Sequence, residues 1–291
     1  MNCPICDSGN YQVLLRHGKD RYIKKLSCPK IQYVLCRECG FTFQNPQPDG
    51  EALKRFYVEG EFETSTSEKY FRVSREDAQS KIVWLKKNYG EGEGENALEI
   101  GSSSGIFLNE LKKCGWNVFG IEPSVPFSKY SRDYFGLNIQ TGFFSERTFH
   151  HEKFDLIVAL HILEHVPDPL NFLQNIHARL NKKGVLFLEV PNIFGMRADR
   201  AVTDYFSSIH LMMFTPKTIV GLLGKAHFVV TTLTITDRGI SVLAIPGTQT
   251  TFEKENNKKI LRVLKQHAFK HQWYLLQNRL LRLFRLFKSR N

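Results

Sequence analysis

Two carboxylates and two glycines fall where an apolar strand gives way to a helix. In Ala97-Leu-Glu-Ile-Gly-Ser-Ser-Ser-Gly-Ile-Phe107 the run carries Glu99 and ends in a Gly-x-x-x-Gly turn, and Gly120-Ile-Glu-Pro123 follows. Gly101 and Gly105 can take backbone dihedrals closed to other residues and carry no Cβ. A ligand can therefore lie against the turn at the carboxyl end of the strand. Glu122 comes about twenty residues later, at the end of the next strand, where a carboxylate can accept hydrogen bonds from both ribose hydroxyls. The chemistry this suits is capture of a nucleoside-bearing ligand, although a tight strand-to-helix turn without a ligand uses the same glycines.

The residues around the turn choose among nucleosides. Ser102, Ser103 and Ser104 replace the Gly-x-Gly-x-x-Gly spacing that brings backbone close to a pyrophosphate. Glu99 would repel a pyrophosphate but suits a cationic sulfonium ligand bearing an amino group. Next comes Phe154-Asp-Leu-Ile-Val-Ala-Leu-His161-Ile-Leu-Glu-His165-Val-Pro-Asp168, a fourth strand running into a helix start, and then Leu186-Phe-Leu-Glu-Val-Pro191. With these motifs in order, Ala97 to Pro246 resembles the class I S-adenosylmethionine-dependent methyltransferases. The resemblance implies that Glu99 and Gly101 face the methionine part of the cofactor, Glu122 the ribose, and Phe143 with Phe144 the adenine. It places Ser103, Gly105 and Ala159 in the cofactor site as well, with Ser103 where many members have a glycine.

Methyl transfer needs an acceptor lone pair in line with the sulfonium methyl and often a base to remove a proton. His161, Glu164 and His165 sit at the carboxyl end of the fourth strand, and positions i, i+3 and i+4 share one side of a helix or turn. His210, in Ser207-Ser-Ile-His-Leu-Met-Met-Phe-Thr-Pro216, could close over the same pocket, so either His210 or His161 is the expected general base. The stretch is similar to the Glu-x-x-Glu-His motif of ubiquinone-pathway O-methyltransferases and small-RNA 2′-O-methyltransferases, where the acids and histidine hold a divalent ion. Here His161 replaces the first acid. Two readings stay open: a second divalent ion at His161, Glu164 and His165, joined by His210, or a metal-free loop braced by Glu164 and His165.

Four of the six cysteines form Cys3-Pro-Ile-Cys6 and Cys36-Arg-Glu-Cys39, two knuckles about thirty residues apart. Each turn lets two thiolates converge on one tetrahedral ion, and metal stabilises a segment too short for its own core. A structural zinc at Cys3, Cys6, Cys36 and Cys39 is the expectation. Cys28 and Cys114 are spare.

The chain has 291 residues, 42% hydrophobic, and a net charge of +11. From Glu253 onward eleven Lys or Arg stand against two Glu, so +9 of that charge lies in the last 39 residues. A surface built to grip nucleic acid carries its basic footprint on the folded domain too, and here the body is nearly neutral. No apolar run reaches the roughly 18 residues of a membrane span, and the start lacks the features of a signal peptide. The expectation is a cytoplasmic protein. Its tail spaces Leu276, Leu280, Leu283 and Phe287 helically beside Arg279, Arg282, Arg285 and Lys288, with Trp273 and Tyr274 suited to an interface. It would rest on the inner face of a membrane or on an acidic partner, or its apolar face would pack against the body or a second copy.

The elements required to position these groups alternate between strand and helix from residue 97 to 190. That pattern demands an α/β, Rossmann-like, mainly parallel seven-stranded sheet, closed by an antiparallel hairpin over 228–245 around Asp237-Arg-Gly239. The expected organisation is a ribbon over 1–45, a helical lid or linker over 46–95, the cofactor domain over 96–248 and a basic helical tail over 249–291. Phe62, Tyr70 and Phe71 could form the lid, and Gly90-Glu-Gly-Glu-Gly-Glu95 reads as a loose acidic link. The ribbon-plus-domain pattern looks like bacterial enzymes that methylate sugars or other small metabolites, so a sugar-containing acceptor in surface-polysaccharide or metabolite biosynthesis is expected. An RNA methyltransferase and a non-enzymatic cofactor-binding scaffold are the alternatives.

Overall fold

The computed structural model describes residues 1–18, 20, 22–26, 30–59, 68–236, 239–248 and 253–288, with the side chains of 17, 68, 69 and 280–288 excepted. Cys28, Phe62, Asp237, Arg238 and the side chains of Leu280, Arg282, Leu283, Arg285, Phe287 and Lys288 therefore lie outside the described residues.

The N-terminal knuckles lead into β1 (Tyr11–His17), β2 (Ile31–Cys36) and β3 (Thr42–Gln44), an antiparallel set. β2 buries both of its faces, with Val34 in one apolar cluster and Tyr33 and Leu35 in another. Such a strand needs protein on either side. Helix α1 (Gly50–Val58) is capped by Asp49, whose carboxylate accepts from the Ala52 N–H at 2.8 Å, and it buries Ala52, Leu53 and Phe56. Helix α2 (Glu68–Asn88) buries Ala78, Ile82 and Leu85, together with Lys81, against one face of the main sheet, in a cluster with Ala97, Val158 and Phe187.

That sheet is assembled from β4 (Asn96–Ile100), β5 (Asn117–Glu122), β6 (Asn138–Thr141), β7 (Phe154–Leu160) and β8 (Leu180–Val190), all parallel. The intervening helices are α3 (Ile106–Lys113), α4 (Val125–Phe135) and α5 (Pro169–Arg179). Ser124 caps α4 and Asp168 caps α5, each followed by a first-turn proline whose missing N–H costs nothing there. Beyond β8 lie the short α6 (Val202–Tyr205), β9 (Met212–Met213), α7 (Pro216–Lys225), β10 (Phe228–Ile235), β11 (Ile240–Pro246) and α8 (Asn257–Lys288). The seven-stranded order is β10-β11-β8-β7-β4-β5-β6, with β10 and β11 antiparallel as expected. Order reverses at β4, which places a crevice beyond the carboxyl ends of β4 and β7.

The link, the ribbon and the tail are each held by the rest of the chain. The 90–95 link is pinned: the Gly94 N–H donates to the Gly115 carbonyl at 3.0 Å, and Trp116 lies where a Cβ on Gly92 would stand. The ribbon is not a free appendage, because β9 from the main chain segment pairs with β3 and completes a four-stranded sheet β1-β2-β3-β9. Finally, α8 is one helix whose first turns dock on the body through Ile260, Leu261 and Leu264 beside Tyr33, Phe206 and Met213. Burying a side chain such as Ile260 contributes about 1.5–3 kcal/mol, so this end of the helix is held by packing.

Candidate functional site

At the turn after β4, Gly101 has φ +72°, Ser103 φ +49° and Gly105 φ +76°. Ser103 thus occupies the left-handed region that glycine takes without cost. Its N–H donates to Glu122 Oε2 at 2.8 Å, and the Ser124 N–H donates to Glu122 Oε1 at 2.8 Å, so both backbone segments orient this carboxylate. Each oxygen keeps a second lone pair for a ligand hydroxyl. Burial raises the Glu122 pKa, against the lowering by these two donors.

Two cavities, each of about 340 Å³, meet at Gly101. One is apolar and includes Leu53, Tyr57, Ile121, Phe143, Phe144 and His165. The other is polar and includes Lys81, Glu99, Ser102, Ser103 and His161. Glu99 is 4% exposed, and neither its Oε2 nor Ser102 Oγ has a hydrogen-bond partner among the described residues. Burial, and next the charge of Glu122, pushes the Glu99 pKa well up. A cation with N–H donors would supply what both orphaned oxygens lack. The residues therefore fit the amino and sulfonium end of S-adenosylmethionine, with an aromatic-lined cavity beside them for the base.

Ala159 and Gly105, both expected in the cofactor site, lie outside the lining of both cavities. Ala159 is fully buried in the sheet core and lines neither cavity; its neighbours Leu160 and His161 line the polar one. Gly105 serves packing, since a Cβ there would meet Leu137 and Ser131 at 2.8 Å.

The four chemistry-bearing residues after β7 divide by environment. His161, at φ +55°, is a strained hinge between strand and turn. Its Nδ1 lies 3.3 Å from Glu164 Oε1 and its Nε2 2.9 Å from Glu189 Oε1. Burial opposes protonation, but these two carboxylates prevail and lift its pKa to about 9. An imidazolium has no lone pair to offer, so His161 in this charged form is less suited than His210 to take a proton. Lys81 Nζ reaches Glu189 at 3.0 Å and Asp77 at 2.8 Å, extending the network into α2. Burial works against the Glu189 anion, yet His161 and Lys81 hold its pKa at about 2.

His165 is the opposite case, pushed down to about 4 chiefly by burial. Its Nδ1 donates to the Ile209 carbonyl at 2.8 Å. His210 Nδ1 donates to the Tyr205 carbonyl at 3.0 Å; because a carbonyl only accepts, the neutral ring keeps its lone pair on Nε2. The two rings are 4.9 Å apart. Ligand atoms of Glu164, His165 and His210 lie within 4.8 Å of one another, and His161 is absent from that group. A divalent ion bound here would take His210 in place of His161. Glu164 is 1% exposed, with its Oε2 unpartnered among the described residues.

The loop that carries His210 is held from the ribbon. Gln44 Nε2 donates to the carbonyls of His210 at 2.8 Å and Ser207 at 2.9 Å, the Tyr33 hydroxyl donates to the His210 carbonyl, and Asp20 Oδ2 accepts from Ser207 Oγ at 2.8 Å. In the ribbon itself all four Sγ atoms of Cys3, Cys6, Cys36 and Cys39 lie within 4.8 Å of one another, Cys3 to Cys39 and Cys6 to Cys36 each at 3.5 Å. Tetrahedral Zn–S bonds of about 2.3 Å put sulfurs about 3.8 Å apart, so the cluster fits one zinc. Cys114, by contrast, is half-buried beside the α2–α3 packing.

A family model described as a methyltransferase domain matches residues 74–233, more than half of the chain. The chain belongs to this family. Among curated relatives, a ubiquinone biosynthesis O-methyltransferase of Actinobacillus pleuropneumoniae is 36% identical over 109 residues, covering 34% of this chain and 47% of the relative. Its counterpart in Histophilus somni is 32% identical over 108 residues, covering 34% and 45%. The chain thus spans about half the length of the curated relatives it matches. A solved S-adenosylmethionine dependent methyltransferase from Mesorhizobium loti superimposes with a TM-score of 0.50 at 16% identity, over 58% of this chain and 98% of that one. The CcbJ methyltransferase from Streptomyces caelestis also gives 0.50, at 13% identity, over 59% and 90%. These two likenesses speak to the fold.

Sequence reasoning missed Asp77, Lys81 and Glu189 within this methyltransferase domain, and Tyr57 and the ribbon residues Asp20, Tyr33 and Gln44 ahead of it. Two had a visible signal. Glu189 is an acid inside the apolar run Leu186 to Val190, and Lys81 falls next to Ile82 on the buried face of α2. Both are charges whose burial demands a partner.

Proposed function

We propose that this protein transfers a methyl group from S-adenosylmethionine to a small-molecule acceptor, and that the acceptor is a sugar or glycan precursor. The observation that carries the cofactor is the pair of orphaned buried oxygens on Glu99 and Ser102, beside a Glu122 carboxylate oriented by two backbone N–H groups. When bound, S-adenosylmethionine supplies an electrophilic methyl, to which the acceptor lone pair bonds as the carbon–sulfur bond breaks and leaves its electron pair on sulfur. Glu99 and Ser102 hold the amino-acid end, Glu122 the ribose, and Phe143 with Phe144 the base. His210 takes the acceptor proton on Nε2, the nitrogen its Tyr205 hydrogen bond leaves unprotonated. The imidazolium of His161 braces the turn through Glu164 and Glu189.

A second reading rests on Glu164 Oε2: Glu164, His165 and His210 hold a divalent ion that orients the acceptor. Activity after dialysis against chelator, with manganese or magnesium restored, separates the two. Zinc at the four ribbon cysteines is structural, and no helix among the described residues is long and apolar enough to cross a membrane. We infer from the exposed Phe269, Trp273, Leu275 and Leu276 and the basic tail that α8 rests on an anionic surface. Comparing cell-surface glycans and soluble metabolites by mass spectrometry with and without the gene tests the acceptor. A methylated lipid quinone or RNA as the only changed species would overturn the sugar reading.

A further inference from the structure

We propose that Tyr57, on α1 and ahead of the methyltransferase domain, belongs to the methyl-transfer site: its ring closes the cavity that takes the cofactor base, and its hydroxyl holds the His165 imidazole. This rests on the methyl-transfer reading above.

The course of the chain at Glu122 sets where the base lies. Ile121 and Pro123, the neighbours of that carboxylate, line the apolar cavity of about 340 Å³, as do Gly101, Phe143 and Phe144. A ribose held by Glu122 therefore directs its base into this cavity, whose volume falls in the range of roughly 300–1,000 Å³ that encloses small ligands. The part of the wall that comes from outside the domain is α1, through Leu53, Lys54 and Tyr57. Tyr57 stands edge-on to Phe143, with 6.4 Å between ring centroids. A purine against these two rings gains stacking and edge contacts while its apolar area leaves water.

Packing fixes that wall. Phe56, next to Tyr57, is 2% exposed, and its ring meets Tyr22 of the ribbon edge-on at 5.1 Å. Leu53 is buried one turn earlier, and Gln47 Nε2 donates at 3.4 Å to the carbonyl of Pro167, itself a lining residue. A cover held in this way adds little ordering cost to ligand binding.

The hydroxyl reaches His165. Tyr57 Oη lies 3.0 Å from His165 Nδ1, the nitrogen that also donates to the Ile209 carbonyl at 2.8 Å. A carbonyl only accepts, so Nδ1 carries the hydrogen and the phenol oxygen accepts a share of it. Burial, and next the charge of Glu164, push the Tyr57 pKa up, so the phenol stays neutral. His165 is thereby kept with its hydrogen on Nδ1 and its lone pair on Nε2, 3.9 Å from Glu164 Oε1, and its ring stands 4.9 Å from that of His210. One side chain thus joins the base cavity to the imidazole pair. Tyr57 touches the cofactor with its ring and positions His165 with its oxygen.

The test uses the full zinc-loaded chain. Analogues of S-adenosylmethionine that carry an azide on the purine, photolysed on the parent protein, should label the tryptic peptide over 56–69, which contains Tyr57. Excess S-adenosylhomocysteine should remove that label. By calorimetry Tyr57→Ala should weaken S-adenosylhomocysteine about tenfold or more, whereas Tyr57→Phe, which keeps the ring, should stay within about twofold of the parent. Tyr57→Phe should nonetheless move the Nδ1–H resonance of His165 in a chain with isotope-labelled histidine, a signal identified by its loss in His165→Gln. A ring that merely fills space would leave that resonance in place. Label confined to other peptides, Tyr57→Ala binding as tightly as the parent, or an unmoved His165 resonance in Tyr57→Phe would overturn the proposal. The photolabel is read on the parent chain, so a variant that fails to fold leaves the test standing. Failure of the parent to bind S-adenosylhomocysteine at all would instead overturn the methyl-transfer reading, and this proposal with it.

Discussion

The side-chain amide of Gln44, in the third ribbon strand, donates to the main-chain carbonyl of His210 across 2.8 Å. It is fully buried and donates to Ser207 as well, so one residue of the cysteine-bearing segment sets two carbonyls of the loop that carries the proposed base. Gln44→Leu leaves those two carbonyls to the Tyr33 hydroxyl alone, at about 0.5–1.5 kcal/mol for each hydrogen bond lost, and lets the imidazole drift. The expected result is a lower melting temperature and a kcat reduced about 10- to 100-fold, with S-adenosylhomocysteine affinity unchanged by calorimetry. A loss of cofactor affinity equal to the loss of kcat would show global disruption instead of loop misplacement.

Zinc should act at a distance through the same contacts. One zinc per chain is expected by metal analysis, absent from a Cys36→Ser, Cys39→Ser variant. Because β3 pairs with β9 immediately after His210, stripping the metal with a thiol-reactive mercurial and chelator should depress turnover before it affects cofactor binding. A purified chain without zinc, or one whose turnover is indifferent to zinc removal, contradicts this coupling.

The main sheet was legible because its strands are apolar runs punctuated by glycine and acid, and its helices open on Ser124-Val-Pro126, Asp168-Pro169 and Thr215-Pro216, caps that work locally. The ribbon's engagement with the domain was not. Met212 and Met213 form a two-residue strand, too short for any alternation, and their partners Phe43 and Thr42 lie far away in sequence. For the same reason Asp20 and Gln44 look like ordinary polar residues until the loop they hold is present. Gly101 and Gly105 show the converse limit: both require positive φ, yet only Gly101 borders the cavities, and spacing alone does not separate a ligand turn from a packing turn.

His161 gives a pH signature of sign opposite to that of a buried neutral histidine. Burial disfavours its charge, but Glu164 and Glu189 raise its pKa from 6.5 to about 9. Its contribution to stability is therefore complete below pH 6.5 and is lost as pH rises through about 9. Glu189, held at about 2, contributes above its ordinary 4.5 and loses that share only as pH falls through about 2. The difference in melting temperature between parent and His161→Asn should be constant from about pH 5 to 6.5 and shrink steadily toward about pH 10. A difference that grows with pH would contradict a charged His161.

Glu122→Ala should weaken S-adenosylhomocysteine binding about ten- to a hundredfold. Two ribose hydroxyls lose a charged acceptor, and Ser103 and Ser124 lose the group that orders their N–H bonds. Glu122→Gln keeps one acceptor oxygen and should fall between the two. Calorimetry decides, and equal affinity in parent and Glu122→Ala, or competition by NAD, refutes the cofactor assignment.

The last expectation concerns α8, whose two halves meet different surroundings. Ile260 and His267 are buried against the body, and His267 Nε2 donates to the Arg200 carbonyl at 3.0 Å, so this half is fixed. Beyond it Phe269 is 70% exposed and Trp273 55% exposed, with Leu276 further along the same helical spacing. Lys265, Lys270 and Arg279 add positive charge along the helix. Apolar anchors flanked by cations suit an anionic bilayer, where each basic residue contributes about 1 kcal/mol near the surface. The full chain should sediment with vesicles of phosphatidylglycerol and phosphatidylcholine at low salt and be released as salt screens the attraction. Phe269→Glu with Trp273→Glu, both at exposed positions, should abolish sedimentation while leaving the melting temperature and cofactor affinity intact. A chain that ignores such vesicles but forms a dimer that these two substitutions dissociate would assign the same face to a second copy of the protein.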